Sequence, residues 1–149
     1  MVKLDVIDSE RPSAVSLDML RQYAAVSDTS QDHLLSMALS RAFSMVQRSA
    51  DVALLPGRYC VKADDHRGEV RVYMGGKAVL VRDAQGKTIN YRQAGAVVYV
   101  PTEGYVEVEF TTTVSDDDYV RLLPVVLKYA TAVYDGAASN ELNAILREC

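Results

Sequence analysis

The stretch "DHLLSMALSRAFSMVQRSAD", residues 32–51, is the best-marked element of the 149-residue chain. Serine, arginine and glutamine fill much of its circumference, and apolar side chains form a separate stripe. The stripe recurs at steps of three and four residues through Leu34, Leu35, Ala38, Ala42, Met45 and Val46. This spacing predicts an amphipathic helix with one face in a core. Pro56 and Gly57 punctuate the chain and predict that the helix ends before them.

A second helix is predicted on the N-terminal side of this one, in "SLDMLRQYAAV", residues 16–26. Ser16 is its expected N-cap, because a serine hydroxyl accepts amide hydrogens of the first turn. Residues 1–15 are expected to form an extended N-terminal arm. The remaining residues, 16–149, have the usual length of a single domain.

The middle third of the chain changes to a period of two. "EVRVYM" at 69–74 and "YVEVEFTTT" at 105–113 alternate apolar and polar side chains. The glycine pair at 75–76 is typical of a two-residue hairpin loop, because glycine accepts the positive φ of such turns. These signals predict a small antiparallel β-meander with one face exposed to water.

The carboxylates of residues 116–118 stand next in "SDDDYVRLLPVV", residues 115–126, and their clustering raises the question of a catalytic or metal site. Three consecutive side chains do not converge on one point of a helix or strand. They do suit a helix N-terminus, where acceptors meet free amides and the positive end of the dipole. Ser115 and Asp116 are therefore predicted to be helix caps.

Pro124 decides how this segment continues. Inside one continuous helix it would cost ~3 kcal/mol, whereas at a first turn it costs nothing. The sequence thus predicts a short turn over 116–122, a new helix starting at Pro124, and a stop at Gly136. A last short helix is predicted in "SNELNAILRE". The expected fold is α+β: two N-terminal helices, the β-meander and two C-terminal helices.

Composition excludes several classes of protein. The net charge is −4 and no basic block is present, which argues against a protein that grips the phosphate backbone. Cys60 and Cys149 lie far apart and are expected to be reduced thiols. The N-terminus lacks the apolar core of a signal peptide, and no stretch approaches the ~20 apolar residues of a membrane span. We expect a reducing, cytosol-like compartment and no membrane.

Other chemical signals are weak. Asp64, Asp65 and His66 resemble half of a metal site, but the only other histidine, His33, lies in a different element. "GKT" at 86–88 is not a phosphate-binding loop, because Val81 stands where that motif needs glycine. The sequence predicts no catalytic, cofactor-binding or metal-binding residue and no enzyme. A monomeric ligand-binding or enzymatic domain built around residues 64–66 remains the alternative.

The C-terminal helix "PVVLKYATAVY", residues 124–134, is apolar over nearly its whole circumference. A helix of this kind must be buried all round. Two interpretations stay open: a central core helix, or a helix with one face inside and one face against a neighbouring subunit. Tyrosine is common at interfaces. The candidate interface residues are Val126, Tyr129, Ala130, Val133 and Tyr134.

Five segments in this order form a pattern over most of residues 16–136: "SLDMLRQYAAV", "SDTSQDHLLSMALSRAFSMVQRSAD", "ALLPGRYCV", "YVEVEFTTT" and "PVVLKYATAVYDG". The last includes Pro124, Leu127, Lys128 and Tyr134 at its matching positions. This layout resembles the head–tail connector (adaptor, or head-completion) proteins of tailed bacteriophages and prophages. It departs from them in a longer N-terminal arm and in a longer, more acidic loop, "FTTTVSDDDYV".

The resemblance implies a structural virion protein without catalysis or cofactor. Such proteins form a homo-oligomeric, dodecamer-like ring under the portal protein, and the next head-completion or tail protein docks on that ring. The mechanism would be heterologous subunit packing that closes by rotation. Double-stranded DNA would pass through without sequence-specific binding, and the acidic balance suits that passage. The protein would reside in the virion after assembly in the bacterial host cytoplasm. Another tail-completion or morphogenesis protein is the nearest alternative.

Overall fold

The computed structural model describes residues 1–27 and 29–149, which form four helices and seven strands. The predicted α+β class, with two N-terminal and two C-terminal helices around antiparallel strands, is confirmed. In chain order the elements are β1 (Val2–Ser9), α1 (Ala14–Tyr23), α2 (Asp32–Ala50), β2 (Gly57–His66), β3 (Glu69–Arg71), β4 (Lys77–Asp83), β5 (Arg92–Ala94), β6 (Val97–Tyr99), β7 (Gly104–Thr112), α3 (Asp116–Tyr134) and α4 (Ser139–Leu146).

Two compact units share these elements. The β unit comprises Met1–Glu10 and Leu55–Val114, and the helical unit comprises Arg11–Leu54 and Ser115–Cys149. Within the β unit, a four-stranded sheet has the order β1-β2-β7-β4 and a three-stranded sheet has the order β3-β6-β5. Because β7 lies between β2 and β4, the strands do not follow the purely sequential pairing of a simple meander.

The core of the β unit comes from the alternation of β2 and β7. Their inward side chains are fully or almost fully buried: Tyr59, Val61, Ala63, Val106, Val108 and Phe110. The rings of Tyr59 and Phe110 stack with centroids 5.5 Å apart. On the opposite face of β7, the carboxylate of Glu109 accepts hydrogen bonds from Arg58 and Arg82. A period of two in the sequence thus separates an apolar face from a charged face.

The N-terminal residues belong to the folded units. Val2–Ser9, expected in an extended arm, is the edge strand β1 and pairs with β2 in the register Leu4↔Val61, with an irregularity between Val6 and Asp8. At this irregularity two apolar residues, Val6 and Ile7, follow each other in the sequence. They interrupt the alternation of apolar and polar residues that would have predicted a strand.

The glycine pair at 75–76 joins the two sheets, so the predicted hairpin loop is wrong. β3 pairs with β6, whereas β4 pairs with β7. Met74 and Gly75 adopt φ of 55° and 64°, and the Gly76 amide donates to the Tyr73 carbonyl at 2.9 Å. Val70, Val72 and Met74 are all buried. Val70 lies opposite Val98 of β6, and this pairing takes the place of a hairpin with β4.

The first helix begins earlier than predicted. The N-cap of α1 is Ser13, whose Oγ accepts the Ser16 amide hydrogen at 3.2 Å. Ser16 lies inside the first turn, is buried, and has its Oγ 3.0 Å from the Tyr119 hydroxyl of α3. The prediction of Ser16 as the cap is wrong because its hydroxyl bonds across to another helix, and the serine three residues earlier satisfies the amide.

Helix α3 is continuous from Asp116 to Tyr134 and contains Pro124, so the predicted start of a new helix at Pro124 is wrong. Packing on both sides of the proline explains this. On the N-terminal side of the proline, the ring of Tyr119 stacks on that of Phe43 with centroids 6.1 Å apart. Leu122 precedes the proline and Val126 follows it, and both are buried. Pro124 itself is exposed. Burial of these side chains outweighs the ~3 kcal/mol that an interior proline costs.

The ends of α3 are built as follows. Ser115 occupies the N-cap position with an extended backbone, and its carbonyl accepts the Tyr119 amide hydrogen at 3.0 Å; its side chain makes no capping hydrogen bond. Asp116 and the two following aspartates fill the first turn, where negative charge meets the positive end of the helix dipole. Gly136 follows the helix with φ of 77° and donates to the Val133 carbonyl.

Candidate functional site

The five predicted interface residues of α3 fall into two groups. Val126, Tyr129 and Ala130 are fully or almost fully buried within the helical unit, where α3 packs on α1, α2 and α4. They offer no surface to another subunit. This corrects their assignment to an interface: three neighbouring helices cover most of the apolar circumference of α3. Val133 and Tyr134, one turn further along, are half-buried.

Val133 and Tyr134 form one wall of an apolar groove on the helical unit. Its cavity has a volume of about 360 Å³. The other wall is α2, and the full lining is Leu34, Met37, Ala38, Arg41, Val133 and Tyr134. Leu34 is 53% exposed and Met37 is 59% exposed, which is unusual for large apolar side chains on adjacent turns. We call this surface the α2–α3 groove.

A second apolar surface lies on α1. Val15, Met19 and Tyr23 are exposed and follow one another at intervals of four residues, so they share one face of the helix. Leu20, which lies outside this face, is fully buried. We call the exposed residues the α1 stripe. The sequence analysis missed this stripe, although the four-residue spacing was visible in the sequence.

The groups around His66 form a different kind of site. Asp64, Asp65 and His66 end strand β2, and His66 is buried. Its Nδ1 accepts the Gly68 amide hydrogen at 3.1 Å, and its Nε2 has no hydrogen-bond partner among the described residues. Burial lowers the pKa of His66, and the nearby Glu103 carboxylate opposes that shift only in part. The imidazole is therefore biased towards its neutral form.

Beside His66 lies a cavity of about 490 Å³ whose charged lining includes Asp65, Arg67, Glu69 and Arg71. Asp64 is engaged by the amino group of Met1, which lowers the pKa of that carboxyl. In residues 1–27 and 29–149, no group of three histidine, cysteine or acidic side chains is arranged to hold a metal ion. The residues around His66 therefore line a cavity with several charged side chains, and among the described residues they form no three-ligand metal site.

The two cysteines are poor nucleophiles in their present environments. Cys60 is buried on β2, and desolvation raises the pKa of its thiol. Cys149 is exposed, yet partial burial of its sulfur also raises the pKa of that thiol. A thiol reacts and binds metals as the thiolate, so both shifts act against such chemistry.

Within the described part of the chain, no helix is both long enough and apolar enough to cross a membrane.

No family model matches the sequence, and no curated protein is significantly similar to it. The fold occurs in solved gene transfer agent (GTA) particles. A chain in the neck of an empty GTA particle, computed with C6 symmetry, has a TM-score of 0.66 and 16% identity, covering 98% of this chain and 94% of that chain. A chain in the virion of a native GTA particle has a TM-score of 0.65 and 17% identity, covering 97% and 93%. The shared fold thus extends over nearly the full length of each chain.

Proposed function

We propose that the protein is a structural neck component of a phage-like virion, a head–tail connector that joins the portal of the capsid to the tail. The single observation that carries the proposal is the fold shared with a GTA neck chain over 98% of this chain and 94% of that one. A match that complete in both directions is more specific than a common helical or sheet motif. It agrees with the motif order of the connector resemblance, which was reached from different evidence.

In this proposal the chain forms a homo-oligomeric ring. A closed ring needs heterologous contacts, in which two different surfaces of each subunit meet. The helical unit carries two separate apolar surfaces, the α2–α3 groove and the α1 stripe. The GTA neck was computed with C6 symmetry, and a dodecameric ring is compatible with sixfold symmetry.

The ring would extend the DNA channel between the portal and the next head-completion or tail protein. A net charge of −4 favours passage of double-stranded DNA over binding, because few cations are available to hold phosphates. Such a role requires no catalysis and no cofactor. The protein would assemble in the bacterial host cytoplasm and remain in the virion.

The test is a pair of α3 variants examined with and without the cognate portal. Val133→Glu places a charge on the groove wall and should leave a folded monomer that forms no ring. Tyr129→Glu buries a carboxylate in the core and should abolish folding, because an unpaired buried charge costs several kcal/mol. Light scattering after size exclusion reports assembly, electron microscopy reports rings, and circular dichroism reports folding.

Val120→Glu is the charge-matched control, since Val120 lies on the same helix, is 73% exposed and does not line the groove. It should assemble like the wild type. A wild-type chain that stays monomeric at high concentration and forms no ring with the portal would overturn the proposal. A ring that binds a tail tube and not the portal would favour the related tail-completion role.

One observation favours a second candidate, a monomeric ligand-binding protein: the cavity of about 490 Å³ beside the buried His66. That candidate requires saturable binding of a small polar ligand by a monomer. Its binding should be lost in Arg67→Ala while Val133→Glu leaves it intact. Ring formation by the wild type with no ligand-dependent change in its melting temperature would argue against it.

A further inference from the structure

We propose that neighbouring subunits associate by a helix-in-groove contact, in which the α1 stripe of one copy occupies the α2–α3 groove of the next. The occupant of the groove is thus a second copy of this chain. This inference rests on the proposed ring-forming function and specifies which surfaces build the ring.

The stripe has the spacing that groove binding requires. Val15, Met19 and Tyr23 repeat at four-residue intervals along α1, and recognition of a helix by a groove uses anchors at such intervals. The three side chains are 68%, 38% and 52% exposed. An exposed apolar row on one helix face of a small unit is a marker of an interaction surface.

The groove has a matching chemistry. Leu34, Met37 and Val133 supply apolar walls, and methionine adapts its shape to different apolar partners. The Tyr134 hydroxyl at one wall lies 3.3 Å from Gln31 Oε1, so the polar end of that tyrosine already has a partner within the subunit. The apolar side chains that line the cavity can therefore contact aliphatic and aromatic side chains of a partner.

Charge complementarity selects this occupant over others. Arg41 lies at the groove, is exposed, and has no ion-pair partner within residues 1–27 and 29–149. Asp18 projects from α1 beside Met19 with its side chain 61% exposed. Asp18 pairs with Arg21, but Arg21 also donates to both carboxylate oxygens of Asp32, at 2.8 and 2.9 Å. Arg21 would therefore stay neutralised if Asp18 turned to the Arg41 of a neighbour.

The same charges disfavour a symmetric pairing. Groove against groove would bring two Arg41 side chains together, and stripe against stripe would bring two Asp18 side chains together. Like charges facing each other across an interface are unfavourable. When the stripe of each subunit packs in the groove of the next, a row of subunits has one unoccupied groove at one end and one free stripe at the other. Both surfaces are covered only when the row closes into a ring.

Disulfide trapping tests the contact directly. In a Cys149→Ser background, which keeps only the buried Cys60, one chain carries Met19→Cys and another carries Met37→Cys. Under conditions in which the wild type forms rings, oxidation of the mixture should give a cross-linked dimer, whereas neither chain alone should cross-link. A chain with both substitutions should give a ladder of cross-linked species that ends at the ring size.

The outcomes separate the two proposals. Cross-linking by Met37→Cys alone would show groove-to-groove packing and would overturn this inference. Rings without cross-linking in the mixture would also overturn it, while leaving the connector function in place. Absence of wild-type rings with the portal would count against both.

A charge swap gives an independent measurement. Arg41→Glu and Asp18→Arg should each weaken subunit association about tenfold, because each sets like charges face to face. The double variant should restore association to near the wild-type level. Unchanged melting of the monomers is the control for folding. If the wild type, the two single variants and the double variant all assembled equally well, Asp18 and Arg41 would not pair between subunits. The argument for a second copy as the occupant of the groove would then fail.

Discussion

Gly76 packs so closely against the ring of Phe110 that no side chain fits at this position. A Cβ atom added at this position would lie 2.2 Å from Phe110 Cδ2 and 3.0 Å from the Tyr73 carbonyl oxygen. Because Phe110 is fully buried and stacked on Tyr59, it has little room to move. We expect Gly76→Ala to destabilise the chain by about 2 kcal/mol, in the range of overpacked cores. Urea denaturation measures the change.

The neighbouring Gly75 gives the control for this prediction. A Cβ added at Gly75 would meet no atom within 4 Å, and asparagine tolerates its φ of 64° better than most residues, so Gly75→Asn should cost less than Gly76→Ala. Phe110→Leu should relieve part of the cost of Gly76→Ala, because it removes the atoms in conflict. If the two changes were simply additive, the cause would be something other than this contact.

His66 predicts a loss of stability in mild acid. Burial lowers its pKa in the folded chain below the ordinary value of 6.5. Between those two pKa values the unfolded chain binds more protons, so folding stability rises with pH in that window and falls as the pH drops through it. Denaturation curves between pH 5 and about pH 7.5 should show the fall near the titration of free histidine.

His66→Asn should remove this acid-side loss, since an amide oxygen can still accept the Gly68 amide hydrogen and does not titrate. The exposed His33 on α2 provides the matched control, and His33→Asn should retain the loss seen in the wild type. A pH profile unchanged by His66→Asn would show that other groups dominate acid sensitivity.

At the scale of elements, α3 contains an interior proline whose replacement should stabilise the helix. Pro124 lacks the amide that would reach the Val120 carbonyl, at a cost of ~3 kcal/mol, while its restricted unfolded state returns roughly 1 kcal/mol. Pro124 is exposed, so its replacement opens no cavity. We expect Pro124→Ala to stabilise the chain by about 2 kcal/mol in urea or thermal denaturation.

Pro124→Gly serves as the comparison, because it restores the amide but lowers helix propensity by about 1 kcal/mol. It should stabilise less than alanine does. Destabilisation by both variants would indicate that the proline acts as the first residue of a separate helix, as the sequence alone predicted.

The elements that were predictable are those whose period is uninterrupted. The apolar face of α2 repeats over several helical turns, and the apolar–polar alternation of β7 repeats along the whole strand. Both elements lie where they were expected. Three of the corrections concern Ser16, Pro124 and the 75–76 turn, where a local preference competes with packing of distant residues. The partners that decided them, Tyr119, Phe43 and Phe110, lie 30 or more residues away in the chain, so no local pattern contains them.

At the scale of the whole molecule, the candidate site was only half visible in the sequence. The apolar circumference of α3 showed that its surface needed partners, but not which partners were internal. Three helices cover Val126 and Tyr129, and the exposed remainder joins residues as distant as Leu34 and Val133. The sequence therefore drew attention to α3, whereas locating the groove required knowledge of which helices pack together.

The β unit also shows how its two chain segments meet. The Glu10 amide donates to the Pro56 carbonyl at 3.0 Å, and Ser9 and Thr112 both pair with Gly57. The chain therefore leaves the sheet after Glu10, returns at Leu55, and departs again after Val114 at one and the same end of the strands. In topological terms, residues 11–54 are an insertion whose ends already touch. A β unit freed of its helices would need only one splice, from residue 10 to residue 55, to run as an uninterrupted polypeptide.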